Sequence, residues 1–154
     1  VGHNMAATQT VLWSRILDRL AGPKPPFLIV MDPRRTSVGH AAVENGGIHL
    51  ELRAGTNLAL LNGILKILLE KNEFHNAEFI GSYASFTRDF APAYTKMASL
   101  DKHTIGIDAL RDTVKDYDVQ RVSEITNVPV DLIIRAAEAI GRSDRLVSTC
   151  LQGV

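Results

Sequence analysis

Three short polar segments of this sequence carry residue types that suit a nucleotide. In the second of them, residues 32–36, Asp32 follows an apolar run. A carboxylate at the end of a buried strand can accept two hydrogen bonds from a ribose diol. Arg34 and Arg35 follow at once, and planar guanidinium groups suit phosphate or a purine face. The alternative for this segment is a solvated turn in which Asp32 hydrogen-bonds its own backbone.

The first segment, residues 2–10, leads into a predicted helix. Gly2 permits a tight turn, and Asn4 and Thr8 offer short polar side chains. The free amide hydrogens and the positive dipole end of the helix would suit a pyrophosphate. The alternative is that Asn4 and Thr8 only cap the helix.

The third segment, residues 53–57, also precedes a predicted helix. Gly55 would allow a ligand to approach the backbone closely. Asn57 offers one donor and one acceptor to a purine edge. Capping is again the alternative function of the polar side chains.

The elements around these segments should bring them together. Residues 8–21 have the spacing of an amphipathic helix, and residues 27–31 are typical of a strand buried on both faces. Residues 37–47 are small, polar and Gly-rich and predict a loop, whereas residues 48–52 alternate like a strand with one wet face. This order predicts an α/β fold, a Rossmann-like three-layer domain with a parallel sheet, whose ligands bind at the carboxyl ends of the strands.

The second half of the chain is predicted to be mainly helical. A deeply buried helix is expected over residues 58–71, capped by Thr56 or Asn57. Residues 76–83 should begin with a capped turn, and residues 84–117 predict short helices and loops.

A helix pair and a last strand are predicted near the end of the sequence. Asp118 should cap the first helix of the pair, which residues 127–129 break before the second begins. Because basic and acidic side chains balance on this pair, we expect it to pack within the protein rather than to bind DNA. Residues 146–150 predict a buried strand.

Composition limits the classes of function. The chain has 154 residues, 17 basic and 17 acidic, so the broad electrostatic field that attracts nucleic acid or an anionic membrane is missing. No apolar stretch reaches the roughly 20 residues that span a bilayer, so no membrane insertion is expected. Cys150 is the only cysteine, which excludes an internal disulfide and a Cys-rich metal site within this sequence and is compatible with a cytoplasmic location. The five histidines lack ligand spacing, so we expect them to lie on the surface or behind the residues that touch a ligand, and we expect no metal site.

Length alone predicts a single domain over residues 1–154. Residues 1–4 have the character of a turn already under way, with no initiator methionine or signal peptide before them. We therefore also consider a fragment of a larger protein.

The motifs taken together resemble a known family. Gly-His-Asn at 2–4, Met-Asp-Pro-Arg-Arg-Thr at 31–36 and Leu-Arg-Ala-Gly-Thr-Asn at 52–57 match, in order and spacing, the molybdopterin oxidoreductases of the dimethyl sulfoxide reductase superfamily. The chain is most similar to the nitrate reductase and formate dehydrogenase branch, and the similarity covers nearly its whole length. The Asp-Pro-Arg-Arg-Thr run is the most specific of these motifs.

The resemblance implies a site for the guanine dinucleotide end of the molybdopterin guanine dinucleotide cofactor. Asn4 and Thr8 would approach the phosphates, Asp32 the ribose, and Gly55 with Asn57 the guanine. The cofactor-binding residues that it implies are Asn4, Thr8, Asp32, Pro33, Arg34, Arg35, Leu52, Gly55 and Asn57.

The sequence departs from the family at one binding motif and lacks others. Most members have Pro-Gly-Thr-Asp where residues 54–57 are Ala-Gly-Thr-Asn, so a charge-assisted bond to the guanine amino group would become a neutral one. This puts guanine affinity in doubt. The cysteines of the family's 4Fe-4S cluster and its metal ligand have no counterpart here, so the chain is predicted to be inactive alone.

The implied function is therefore part of a molybdenum or tungsten oxidoreductase acting on nitrate or formate, with the bis-molybdopterin guanine dinucleotide cofactor. The partners would be the remainder of the catalytic subunit and electron-transfer subunits. One alternative is an NAD-binding Rossmann domain of a dehydrogenase, although the sequence has no Gly-x-Gly-x-x-Gly turn. Another is a non-enzymatic helical interaction module, which would leave the three polar segments unexplained.

Overall fold

The computed structural model describes residues 3–74, 76, 78 and 107–150. Within these residues, strands β1 (Ile29–Met31) and β2 (Ile48–Leu50) form a parallel sheet. The described helices are α1 (Met5–Thr8), α2 (Thr10–Leu20), α3 (Ser37–Glu44), α4 (Asn57–Glu70), α5 (Ile107–Val114), α6 (Val119–Thr126) and α7 (Val130–Gly141), and Asn72–Phe74 forms a 3-10 turn.

The parallel pairing confirms the central prediction about the sheet. Ile29 lies opposite Ile48, and Met31 lies opposite Leu50. Helix α3 connects the two strands, which is the crossover that parallel neighbours require. Two strands in the described part of the chain do not establish a Rossmann-like sheet, so the confirmed architecture is a mixed, mainly helical fold around a small parallel sheet.

Each face of the sheet packs against its own helices. The α4 layer consists of α4, α6 and α7 with the strand residues that face them, and the α3 layer consists of α1, α2 and α3 with theirs. The buried core of the α4 layer is Met31, Ile48, Leu50, Leu52, Leu60, Ile64, Val122, Val128, Ile133, Ala136 and Ala137. The buried core of the α3 layer is Met5, Trp13, Val30, Val38, Ala41 and Ala42. Alternate residues of β1 enter different layers, as the two-residue period of a strand requires.

The predicted loop at 37–47 is wrong, because most of it is helix α3. Thr36 caps this helix by accepting a hydrogen bond from the backbone amide of Gly39 at 3.4 Å. Val38, Ala41 and Ala42 are buried, and their spacing of three and four residues places them on one helix face. The small residues that suggested a loop allow the helix to pack closely on the sheet.

Two predictions about strands are also wrong. The wet face expected for β2 is absent, since all three of its residues are buried, including His49. Residues 146–150 form no strand, and Val147 is 87% exposed. An apolar β-type pattern forms a strand only when a partner strand is available for its backbone hydrogen bonds.

The remaining helices follow the predictions closely. Asp118 caps α6 by accepting a hydrogen bond from the backbone amide of Arg121 at 3.0 Å. Asn127, with a φ of 61°, ends α6 in the left-handed conformation, and α7 begins at Val130. Both helices pack on α4, as expected for a packing unit. The helix predicted at 58–71 is α4.

The turn predicted over residues 76–83 and most of the segment 84–117 lie outside the described residues. Of that segment, Ile107–Val114 forms α5. In the described ranges, no helix combines the length and hydropathy that a bilayer span needs.

Candidate functional site

A cavity of about 560 Å³ lies where both parallel strands end. The segment after β1, the end of β2 with the segment after it, and the α6–α7 junction contribute its walls. The lining residues are Pro33, Arg35, His49, Glu51, Leu52, Arg53, Asn127, Pro129 and Leu132. We call this space the strand-end cavity. Its position agrees with the general rule that ligands of α/β proteins bind beyond the carboxyl ends of the strands.

Asp32 organises the turn after β1 through its side chain. It is 2% exposed, and its carboxylate accepts hydrogen bonds from the backbone amide of Arg34 at 2.8 Å and from the Arg34 Nε at 3.2 Å. Burial acts to raise the pKa of the Asp32 carboxyl, but the hydrogen bonds and charge of Arg34 outweigh it, and the pKa lies below its ordinary value. The carboxylate is therefore ionised at neutral pH and held within its own turn.

Arginine and glutamate side chains join the two strand-end segments at the cavity. The Nη2 of Arg35 donates to the Glu51 Oε2 at 3.2 Å, and both side chains are largely exposed. Arg53 also lines the cavity, and among the described residues its guanidinium forms no ion pair. One positive charge is thus uncompensated at the cavity, which favours an anionic ligand.

The structure separates the predicted guanine-binding residues from the strand-end cavity. Gly55, with a φ of 83°, lines a second cavity of about 420 Å³ between the start of α4 and α6. Thr56 occupies the N-cap position of α4, but its hydroxyl donates to the backbone carbonyl oxygen of Arg53 at 2.6 Å instead of capping the helix. Asn57 is the first residue of α4.

The first polar segment lies in the α3 layer. Asn4 precedes α1 without capping it, and the Thr8 hydroxyl donates to the Asn4 carbonyl oxygen at 3.1 Å. Neither residue lines the strand-end cavity. Both ring nitrogens of His3 and the Oδ1 of Asn4 are buried without a hydrogen-bond partner among the described residues. Such buried polar atoms are rare in native proteins and call for a partner.

The predicted site residues are therefore partly assembled. Pro33, Arg35 and Leu52 line the strand-end cavity, and Asp32 with Arg34 forms the turn beside it. Gly55 lines the second cavity and Thr8 a third, on the surface of α2.

Sequence reasoning missed several residues that line the strand-end cavity. His49 and Glu51 had a usable signal, since they belong to the predicted strand that ends at this edge. Arg53 lay within a polar segment already singled out. Asn127 and Pro129 come from a helix junction far along the chain, and no local pattern relates them to this edge.

The described residues contain no group of three or more His, Cys, Asp or Glu side chains placed to hold a metal ion. His3 and His49 are buried rather than on the surface, and His49, which lines the strand-end cavity, also hydrogen-bonds the backbone carbonyl oxygen of Asp32.

Comparison with known proteins relates this architecture to one class of enzymes. No family profile matches the chain. A nitrate reductase of Symbiobacterium thermophilum is 30% identical over 149 residues, which cover 97% of this chain and 18% of the relative. A formate dehydrogenase subunit alpha of Methanocaldococcus jannaschii is 27% identical over 154 residues, which cover 100% of this chain and 19% of the relative. These relatives confirm the resemblance to the molybdopterin oxidoreductases that the motifs predicted.

A solved structure agrees with the sequence relatives. Acetylene hydratase from Pelobacter acetylenicus superposes with a TM-score of 0.59 at 26% identity, over 88% of this chain and 14% of that protein. The chain spans less than a fifth of the length of the curated relatives it matches. It is thus homologous to one segment of such oxidoreductase subunits.

Proposed function

We propose that this chain forms part of the site for the guanine dinucleotide end of a molybdopterin guanine dinucleotide cofactor, within a molybdenum or tungsten oxidoreductase. Nitrate and formate are the two substrates that we propose, because the relatives are named as a nitrate reductase and a formate dehydrogenase. The proposed setting is a cytoplasmic Rossmann-like domain whose partners are the rest of a catalytic subunit, which supplies the 4Fe-4S cluster, and electron-transfer subunits.

The observation that carries this proposal is the strand-end cavity. Its volume of about 560 Å³ falls within the 300–1,000 Å³ typical of small-molecule sites. Pro33 and Arg35 line it from one strand end, and Leu52 and Arg53 from the other. A flat base between Pro33 and Leu52 would remove apolar surface from water, and the guanidinium groups would stand beside the phosphates.

The polar groups of the chain fit a nucleotide. Arg35 can exchange Glu51 for a phosphate oxygen without leaving a buried charge, because both side chains are exposed. Among the described residues, the ring nitrogens of His3 and the Asn4 Oδ1 have no partner, so a ring N–H of His3 could donate to a pyrophosphate oxygen and the Asn4 Oδ1 could accept from a ribose hydroxyl. Gly55, where an added Cβ would meet no atom within 4 Å, leaves its backbone open to a ligand group at the second cavity.

The residues of this chain would bind and orient the cofactor. When bound, the cofactor supplies a redox-active metal that carries the electron transfer. Asp32, whose carboxylate already holds Arg34 and whose side chain is 3% exposed, would act on the ligand by keeping the turn in shape. The resemblance further implies a contact between this carboxylate and the ribose hydroxyls.

Calorimetric titration of the chain with GDP, ADP and NAD tests the proposal. We expect binding of GDP in preference to ADP and NAD. Arg53→Ala should weaken GDP binding by about tenfold, since a hydrogen bond to a charged group is worth about 1.5–3 kcal/mol. Arg145→Ala, at an exposed arginine that lines none of the three cavities described above, is the matched control and should leave GDP binding unchanged.

Two results would contradict the proposal. Selective binding of NAD would favour a nicotinamide site. Absence of binding to any of the three nucleotides would remove the nucleotide site altogether.

A further inference from the structure

His49 occupies an unusual position for a histidine, in the centre of a buried strand. It is 8% exposed, and its ring lies against Gly39 of α3. A Cβ added at Gly39 would stand 3.1 Å from the Nδ1 and 3.2 Å from the Cε1 of the ring. The absence of a side chain at Gly39 therefore provides the space in which the imidazole lies.

In the part of the chain that the structure describes, the ring makes one hydrogen bond, which reaches the segment after β1. The Nε2 of His49 lies 2.9 Å from the backbone carbonyl oxygen of Asp32. A carbonyl oxygen only accepts, so the Nε2 carries the proton and donates it. This bond lies one residue beyond the last paired residue of β1, Met31, where the strand ladder no longer fixes the backbone.

A continuous set of contacts links this bond to the strand-end cavity. His49 holds the Asp32 carbonyl, the Asp32 carboxylate holds the Arg34 amide at 2.8 Å, and Arg35 follows directly and reaches Glu51 at 3.2 Å. Pro33 has no amide hydrogen to anchor its own backbone. The imidazole is therefore the side chain that ties the start of this turn to the neighbouring strand.

We propose that His49 is a positioning residue for the nucleotide site, acting through the Asp32 carbonyl on the turn that presents Pro33 and Arg35 to the ligand. This inference rests on the proposed function for its ligand, but the positioning itself is independent of any ligand. The required chemistry is a hydrogen-bond donor of the right length. A glutamine amide supplies it, and a leucine of similar bulk does not.

The test compares His49→Leu and His49→Gln, with His40→Leu as the control. His40 is an exposed histidine of α3, next to Gly39. We expect the GDP dissociation constant to rise about tenfold in His49→Leu and to change less than about threefold in the other two variants. Equal binding by His49→Leu and the unsubstituted chain overturns the proposal. An equal loss in His49→Gln and His49→Leu also overturns it, because bulk rather than the donor would then matter.

A second readout works without a ligand. Amide hydrogen exchange of Arg34 should accelerate about tenfold in His49→Leu and stay unchanged in His49→Gln, with the buried Ile133 amide of α7 as the reference for global opening. If the unsubstituted chain does not bind GDP, the proposed function fails, and this exchange measurement alone decides the role of His49.

If His49→Leu does not fold, a third variant, Gly39→Ala, provides the test. Gly39→Ala pushes the ring by a few tenths of an ångström while favouring helix α3. Faster exchange at Arg34 in Gly39→Ala supports the proposal. Unchanged exchange there overturns it.

Discussion

The two helix layers that cover the sheet differ in how completely they are packed. In the α4 layer, Val122, Ile133 and Ala136 are all fully buried. In the α3 layer, the apolar side chain of Val11 is 75% exposed and that of Val43 is 59% exposed. The buried polar atoms of His3 and Asn4, which have no hydrogen-bond partner among the described residues, also lie in the α3 layer.

We infer from this difference that the α4 layer mainly stabilises the fold, whereas the α3 layer mainly offers surface for binding. The α4 layer, which has the larger buried core although Leu58 of α4 is 67% exposed, supplies most of the apolar burial, and such burial is worth about 25 cal/mol per Å². The layer with exposed apolar residues and unpartnered polar atoms keeps surface for contacts with other molecules. The strand-end cavity lies at the ends of the strands, between the two layers. The packed α4 layer therefore supports its walls, and residues that face either layer supply its polar groups.

Truncation of one buried and one exposed residue should give the largest contrast between the layers. Ile133→Ala is expected to lower the free energy of unfolding by about 2–5 kcal/mol, because it leaves a cavity in a fully buried core. Val11→Ala should change it by less than about 0.5 kcal/mol. Urea denaturation followed by circular dichroism measures both, and similar losses would refute the comparison.

Replacement of one glycine in each layer by alanine gives a second comparison of how tightly the two layers are packed. A Cβ at Gly63 would stand 2.8 Å from the Val122 Cγ2, whereas at Gly39 it would stand 3.1 Å from the His49 ring. Overpacking costs about 1–3 kcal/mol, and alanine regains up to about 1 kcal/mol in helix propensity. Gly63→Ala should therefore destabilise the chain by about 1–2 kcal/mol, and Gly39→Ala by less. Thermal unfolding that ranks them in the opposite order would contradict this.

Removal of the Asp32 carboxylate should affect binding more than folding. Asp32→Ala frees the Arg34 amide and guanidinium, so GDP affinity is expected to fall about tenfold. Asp144→Ala, at an exposed carboxylate, is the matched control. Calorimetry together with a far-ultraviolet spectrum distinguishes loss of binding from loss of fold, and unchanged affinity would exclude a function for Asp32 at the site.

The smallest expected effect is a pH dependence of stability. Because the pKa of Asp32 lies below its ordinary value of 3.8, its ionised form stabilises the fold. This stabilisation is complete above the pKa that Asp32 has in the unfolded chain. It is lost as the pH falls through the lower pKa that Asp32 has in the folded chain. The urea midpoint should thus fall less steeply below pH 4 in Asp32→Asn than in the unsubstituted chain. Identical slopes would show that Asp32 does not contribute.

Local sequence patterns correctly predicted the structural features that depend on neighbouring residues. The Asp118 cap, the break at residues 127–129 and the apolar helix α4 depend on neighbours within a few positions, and all three are confirmed. Helix α3 was missed because residues 37–47 are rich in glycine and small polar residues, which are typical of loops. Its signal was present in Thr36, a good N-cap, followed by apolar residues three and four apart.

Long-range contacts explain the remaining errors. The alternation of residues 48–52 predicted a wet face for His49, but Gly39 of α3 provides a buried space for the ring that no strand pattern encodes. Residues 146–150 have a strand pattern without a described strand partner. The proximity of Asn127 to Arg35 at one cavity depends on the packing of α6 and α7 against α4 and β2. Binding by the predicted site residues stays a prediction.

The short parallel ladder makes the alignment of β1 with β2 a determinant of the site itself. Val30 lies opposite His49, and the pairing is only three residues long. A slip by one position would turn every side chain of the shifted strand to the other face. The imidazole would then face α4 instead of Gly39, out of reach of Asp32. A one-residue deletion within the crossover helix that shifts this register would therefore disrupt the strand-end cavity while leaving each of its lining residues in the sequence.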